Sequence, residues 1–175
     1  MKEYPGQLER TRYLLDGRSV RVRPIRASDA PMEQDFVRNL CPDSRYERFM
    51  VSLRELPPDK LKYLTDIDYD RHLALVATVV EAGREVEVGV ARYVVDPDGQ
   101  RCEFAVAVGD DWQGTGVAGV LMFTLMDAAR ARGLKIMEGL VLANNHRMLK
   151  FARQLGFSVQ HCPGDASTVH IERAL

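Results

Sequence analysis

The chain is poor in cysteine. Its three cysteines, Cys41, Cys102 and Cys162, are odd in number and widely spaced, with no Cys-x-x-Cys pair. That argues against a disulfide framework and against a thiolate zinc site. The four histidines (His72, His146, His161, His170) lack ligand spacing, so no metal is expected. No apolar run approaches the about 18 residues that read as a membrane span, and no membrane partner is expected. The N-terminal stretch is polar and has no apolar segment of the secretory kind, which leaves the cytoplasm as the expected compartment. Charge of one sign is also missing: the formal net charge is −1. A nucleic-acid partner or a basic membrane binder is therefore not expected. There are no repeats and no low-complexity linker. At 175 residues the chain fits one domain, 1–175, long enough to bury a core without staples. Residues 1–15 read as a loose lead-in.

What is present is an ordered alternation of patterns. Arg18 to Ile25 alternates polar and apolar, as a half-wet strand does. Ser28 is positioned to cap a helix running to about Asn39, with Asp29 in its first turn. Cys41-Pro42-Asp43 breaks that helix, Ser44 can cap a short one to Met50, and Pro57-Pro58 opens another ending near Leu64. His72 to Val80 is an apolar, β-branched strand. Ala82-Gly83-Arg84 turns it into a second strand, Val86 to Val95. Asp96-Pro97-Asp98-Gly99 turns again into Arg101 to Gly109. Then come a helix from Val117 to Arg132, a strand from Lys135 to Leu142 and a helix from Asn145 to Leu155. Two closing strands follow, Phe157 to His161 and Ser167 to Arg173. The pattern is α/β (α+β), a mixed, mainly antiparallel sheet whose front half is a meander and whose rear half holds one β-α-β unit.

The chemically informative stretch is Glu103 to Leu121, where a strand runs into a glycine-rich loop that opens a helix. The first amides of a helix have no internal partners and, with the helix dipole, attract anions. Glycine at 114 and 116 lets a phosphate approach the backbone. Gly114-Thr115-Gly116-Val117-Ala118-Gly119 also spells Gly-x-Gly-x-x-Gly. A dinucleotide fingerprint, however, belongs to the first β-α turn of a parallel sheet, with an acidic residue ending the next strand. Here an antiparallel meander precedes the loop, too little chain follows it, and Glu138 falls in mid-strand. An oxidoreductase reading is therefore weak. The alternative is a purely structural turn.

Gln113-Gly114-Thr115-Gly116-Val117-Ala118 resembles the pyrophosphate signature Arg/Gln-x-x-Gly-x-Gly/Ala of the GNAT acetyltransferase superfamily. About 25 residues on, Asn144-Asn145 and a helix ending Leu155-Gly156-Phe157 resemble that family's downstream Asn and Leu-Gly-Phe. The resemblance covers roughly residues 18–173. It implies a three-layer GNAT fold with helices on both faces of the sheet. The cosubstrate it implies is acetyl-CoA, held by Gln113, Gly114, Thr115, Gly116, Val117, Ala118 and Gly119. Backbone groups of Ala105 to Val108, Val106 and Val108 among them, would lie along the pantetheine, one amide near Val106 polarising the thioester. Asn144 or Asn145 would touch the cofactor arm, and either can equally cap the following helix.

Three stretches are similar, more narrowly, to the acetyltransferase domain of bacterial Pat-type protein-lysine acetyltransferases: Val22-Arg23-Pro24-Ile25-Arg26, Ser44-Arg45-Tyr46-Glu47-Arg48-Phe49 and Glu103-Phe104-Ala105-Val106. That resemblance implies a protein lysine as acceptor, an acyl-CoA synthetase as a partner class, and Glu103 as general base. A regulatory or synthetase-like domain, which such proteins often carry, is not expected within these 175 residues. An amine is mostly protonated at neutral pH (lysine pKa about 10.4), so the chemistry needs a proton acceptor. The apolar neighbours Phe104, Ala105 and Val106 would tune Glu103 upward. The alternative is a solvated strand glutamate beside Arg101. Many relatives have a tyrosine acid at the position of Ala152, next to Phe151; this chain has none there. A small amine as acceptor, or an acyl-CoA-sensing module without turnover, stays open. Trp112 packs on the sheet or over the cofactor. Arg45, Tyr46 and Arg48 read an acidic surface or form a solvated face. Cys102, on the opposite strand face from Glu103, is not expected to be a nucleophile.

Overall fold

The computed structural model describes residues 2–175. Strands β1 (Arg10–Tyr13), β2 (Ser19–Pro24), β3 (His72–Glu81), β4 (Arg84–Val95), β5 (Arg101–Val108), β6 (Ile136–Leu142), β7 (Ser158–Cys162) and β8 (Asp165–Ala174) form one sheet in the order β1-β2-β3-β4-β5-β6-β8-β7. Every pairing is antiparallel except β5 with β6. Helices α1 (Ala30–Asn39), α2 (Pro42–Phe49) and α3 (Pro58–Thr65) precede β3; α4 (Val117–Ala131) crosses from β5 to β6, and α5 (His146–Gln154) from β6 to β7. None of the described helices is long and apolar enough to cross a membrane.

Each sheet face has its own core. Phe36, Val37, Leu40 and Leu64 from α1 and α3 pack on Ile25, Ala74, Val76 and Val90. On the other face Leu121, Met122, Leu125 and Met126 of α4 and Leu149 and Ala152 of α5 pack on Leu75, Ala91, Met137 and Ile171. These are the three layers that the family resemblance implies. Gly89 seats α4: a Cβ there would stand 2.9 Å from Val117 Cγ1 and 3.1 Å from Leu121 Cδ1. At the β3–β4 hairpin, Ala82 and Gly83 both have positive φ (49° and 76°), the backbone of a two-residue turn that follows strand twist.

Several local expectations change. Residues 2–15 are not a loose lead-in. β1 pairs with β2, and the Tyr4 hydroxyl donates to Glu9 Oε1 at 2.9 Å and lies 3.1 Å from the Pro24 carbonyl. Ser28 does not cap α1. Residues 27–29 form a 3-10 turn, and Asp29 Oδ2 accepts the Arg26 amide at 2.7 Å. α2 begins three residues earlier than Ser44 implies, because Pro42 suits a first helical position and Cys41 Sγ accepts the Ser44 amide at 3.4 Å.

Beneath α1 lies a buried ionic layer. The Arg23 guanidinium, 1% exposed, makes a two-point pair with Asp29 (2.8 Å each) and reaches Glu85 at 2.7 Å. Further along, Arg92 binds Glu33 Oε1 (3.2 Å), the Leu64 carbonyl (2.8 Å) and His72 Nε2 (3.2 Å). A guanidinium only donates, so His72 Nε2 is the acceptor and the ring is neutral. Burial, reinforced by Arg92, pushes its pKa down to about 4. Glu87 faces Glu33. Burial and that neighbour's charge hold it well above the usual carboxylate range, so it keeps its proton.

Breaking a buried pair strands the remaining charge. Asp29→Ala should therefore cost about 3 kcal/mol in urea unfolding, and the loss should persist in high salt. His72 sets an acid limit. Its folded pKa (about 4) lies below its ordinary 6.5, so the unfolded chain binds the extra proton between those values. Stability should fall as pH drops from about 6.5 to 4, and His72→Gln should flatten that part of the profile in denaturant titrations.

Candidate active site

The parallel pairing of β5 with β6 lasts three residues: Arg101 with Ile136, Cys102 with Met137 and Glu103 with Glu138. Beyond it the strands diverge. The Phe104 ring lies where a side chain at 139 would go, 3.0 Å from a Cβ built on Gly139, and packs on Phe157 at 5.1 Å between centroids. From Phe104 onward β5 is bonded on one side only. The Gly109 amide donates to Val88 of β4, whereas Gln100 O accepts from Lys135 on the β6 side. Backbone direction alternates along a strand. The amide and carbonyl of Val106 and the carbonyl of Val108 therefore face the gap. A groove fills it, lined by Ala105 to Val108, Leu140, Val141 and the α5 residues Met148 and Phe151.

The glycine loop closes one end of this groove. Gly114 and Gly116 have φ of 77° and 99°, and a Cβ at 114, 116 or 119 would meet open space. Among the described residues no backbone carbonyl accepts from the amides of Gly114, Thr115 and Gly116, and the first-turn amides of Val117, Ala118 and Gly119 have no intrahelical acceptor. The result is a run of outward amides at the positive end of α4, an arrangement that can accept an anion. The Thr115 hydroxyl is turned inward onto the Trp112 carbonyl. Gln113 bridges the rim: its amide nitrogen lies 3.4 Å from Ser44 Oγ and from Val108 O, and its oxygen accepts from Arg147 of α5. Asp110 ties α2 to the loop, accepting from the Cys41 amide (2.7 Å) and the Ser44 hydroxyl (2.6 Å). Asn145 caps α5, its Oδ1 accepting the Met148 amide at 3.2 Å, and also lines the groove; Asn144 is exposed and does not.

Glu103 stands where the gap opens. Its side chain shares the α1–α3 face with Ala105 and lines a second cavity, with Arg48, Phe49, Met50, Leu53 and Lys60. Its apolar surroundings are not the ones expected: Phe104 and Val106 pack into the core of the opposite face, Glu103 is exposed, and the apolar wall beside it comes from Phe49, Met50, Val51 and Leu53. Nor does it lie in an ion pair with Arg101, which binds Glu138 at 3.2 Å and Glu172 at 3.5 Å. His170 completes that cluster at 3.1 Å from Glu138. Cys102 is fully buried, its thiol pushed up to about 12 by that burial. Ala152 is buried in the α5 core, and the groove wall beside it is Phe151, so the helix offers the groove no hydroxyl. The Trp112 ring is covered by the Arg18 guanidinium at 4.0 Å. Of the α2 residues, Arg48 reaches both cavities, while Arg45 turns back to the Arg38 carbonyl. Arg147, Ser44 and Lys60 were missed in the sequence. The one available hint was the position of Arg147, two residues after Asn145.

A diverging β5–β6 pair, an unpaired strand edge and a glycine cradle at the head of α4 define an acyl-CoA N-acyltransferase architecture. The Acetyltransferase (GNAT) family model matches residues 39–157, and the chain belongs to that family. It is 40% identical over 154 residues to a Pseudomonas aeruginosa acetyltransferase, covering 88% of this chain and 83% of that one. It is 30% identical over 136 residues to the Acetyltransferase Pat of Mycolicibacterium smegmatis, covering 77% of this chain and 40% of that protein. The matched stretch thus spans 40% of that relative's length. The GNAT domain of the S. lividans PAT superposes with a TM-score of 0.90 at 29% identity, over 99% of this chain and 100% of that domain. The fold also matches yncA of Salmonella typhimurium, solved with its cofactor acetyl-CoA (TM-score 0.65, 19% identity, 89% of this chain and 94% of that one).

Gly116 tests the cradle. At φ 99° a side chain is strained by about 1–3 kcal/mol. Gly116→Ala should weaken acetyl-CoA binding about tenfold or more by calorimetry, whereas Gly119→Ala, in helical backbone with open space around it, should disturb it less.

Proposed function

We propose that this acetyltransferase moves the acetyl group of acetyl-CoA to a protein lysine by direct attack, with Glu103 as general base. The observation that carries the reading is the adjacency of two cavities along β5: the groove that the Val106 amide faces and the cavity that Glu103 lines at the fork of β5 and β6 share Arg48, Phe104, Ala105 and Leu140 as walls. The amides of Gly114 to Gly119, with Gln113 and Arg147 at the rim, would hold the pyrophosphate. The open edge of Ala105 to Val108 would pair with the pantetheine arm, and Asn145 would border it. Acetyl-CoA supplies an acetyl thioester there.

Val106 N–H, aimed into the gap, would hold the thioester oxygen as it gains charge; such a donor is often worth 10²–10³ in rate. Glu103 takes a proton from the acceptor ammonium, directly or through water. The freed nitrogen attacks the thioester carbon, the carbon–sulfur bond breaks with the sulfur leaving as a thiolate, and the nitrogen releases its second proton to water as the amide forms. Departure without an acid is chemically reasonable because a thiol pKa is near 8.5. This agrees with the absence of a hydroxyl from α5. Support for a lysine acceptor comes from the likeness to the Pat proteins, whose substrate class also makes an acyl-CoA synthetase the first protein to try.

Glu103→Gln should keep the thermal stabilisation by acetyl-CoA, about 2.7 kcal/mol at a hundredfold excess over Kd, and lose about 10²–10⁴ in turnover. Equal turnover would remove Glu103 from the mechanism. A lysine-bearing protein assayed beside free amines separates the lysine reading from a small-amine one. Binding of acetyl-CoA with no turnover on either would favour a sensing module.

A further inference from the structure

The two sides of Glu103 are unlike. Toward β6 and β8 the charges are matched among themselves: Arg101 bridges Glu138 and Glu172, and His170 meets Glu138. Arg101 already fills the space among these carboxylates, so the cluster offers no further cation site. Toward α2 and α3 the charges are unmatched. Arg48 and Lys60 both line the cavity that Glu103 borders, and among the described residues neither belongs to an ion pair. Their placement is supported from below. The Arg48 guanidinium lies over the Phe49 ring at 4.7 Å, and the Lys60 ammonium is 5.6 Å from the Tyr63 ring. The rest of the wall is apolar, from Met50, Val51, Leu53 and Leu140.

Two cations at one cavity, set against the single carboxylate of Glu103, leave it with an excess positive charge. Lys60 has its pKa lowered by burial and by the charges of Arg48 and Arg92; Arg48 is lowered by burial and by Arg92. Both remain cationic at neutral pH, and an anion between them would relieve the repulsion.

Resting on the acetyltransferase reading above, we propose that this cavity is an acceptor subsite that selects an amine carrying an anionic group nearby. Arg48 and Lys60 receive the anion while the amine turns to Glu103. For a lysine acceptor, the anion is the carboxylate or phosphate of a flanking residue. This division of labour needs both halves of the site. A lone carboxylate would draw any cationic segment, whereas the basic wall rejects a lysine-rich one and so restricts which lysines enter.

The test is a ranking of kcat/KM on matched lysine peptides bearing Asp, phosphoserine, Ala or Lys at each flanking position. Matched free amines with and without a carboxylate run in parallel. The expected result is a preference of about tenfold for anionic over neutral acceptors and a further loss for the lysine-flanked peptide. Asp against phosphoserine identifies the source of the anion. Lys60→Glu, folded and still stabilised by acetyl-CoA, should reverse the ranking, and Arg48→Gln should reduce it. Which acceptor class turns over decides the lysine reading; the ranking within that class decides the subsite. Should Lys60→Glu fail to fold, the wild-type ranking alone decides. Equal kcat/KM for anionic and neutral acceptors, or no turnover of either class, would overturn the inference.

Discussion

The site depends on one short stretch of hydrogen bonding. β5 and β6 are parallel neighbours for three residues and then part. Had the ladder continued, the backbone of Ala105 to Val108 would be satisfied by β6 and no groove would exist. The parting has a steric origin. Phe104 lies against Gly139, with Phe157 behind it, and the ring fills the room that a continuing pair would use. An unpaired strand edge is ordinarily a liability. Here α5, α2 and the glycine loop enclose it, and a ligand's own amides can complete it.

The enclosure is assembled from four separate segments joined by polar contacts. Asp110 holds the start of α2, while Gln113 touches Ser44, Val108 and Arg147. The phosphate cradle and the helix carrying Arg48 are therefore one mechanical unit. Below them, the buried layer of Arg23, Asp29, Glu33, Glu87, Arg92 and His72 fixes α1 on the sheet. A neutral histidine and a protonated Glu87 reduce the number of charges that must be held there without water. Arg92 belongs to this layer and also contributes to the potential at Arg48 and Lys60. The core and the cavity beside Glu103 are thus electrostatically linked.

Legibility followed the range of the forces involved. The strands and helices of the sequence reading match the structure within a few residues, since periodicity and turn chemistry are local signals. The failures were also local in form but tertiary in cause. β1 is four exposed residues with no apolar pattern, visible only through its pairing with β2. Asp29 looked like an ordinary first-turn acid, yet its carboxylate is committed to a buried arginine six residues back and to the turn before α1. The apolar neighbours of Glu103 were read from adjacency, whereas alternation sends two of the three to the other face.

By itself the sequence determined the class of the domain, the strand–glycine loop–helix cradle and the acidic residue upstream of it. Each is written in contiguous residues, and the resemblance they carry chose among the readings their spacing left open. Tertiary structure alone decided that Val106 points its backbone into a gap, and that Asn145 rather than Asn144 borders it. It also decided that Arg147 meets Gln113, and that Arg48 and Lys60 share a cavity with Glu103. Those facts join residues as much as 55 positions apart, as Arg48 and Glu103 are. No local pattern encodes them, because they exist only after the sheet has formed and β5 and β6 have parted.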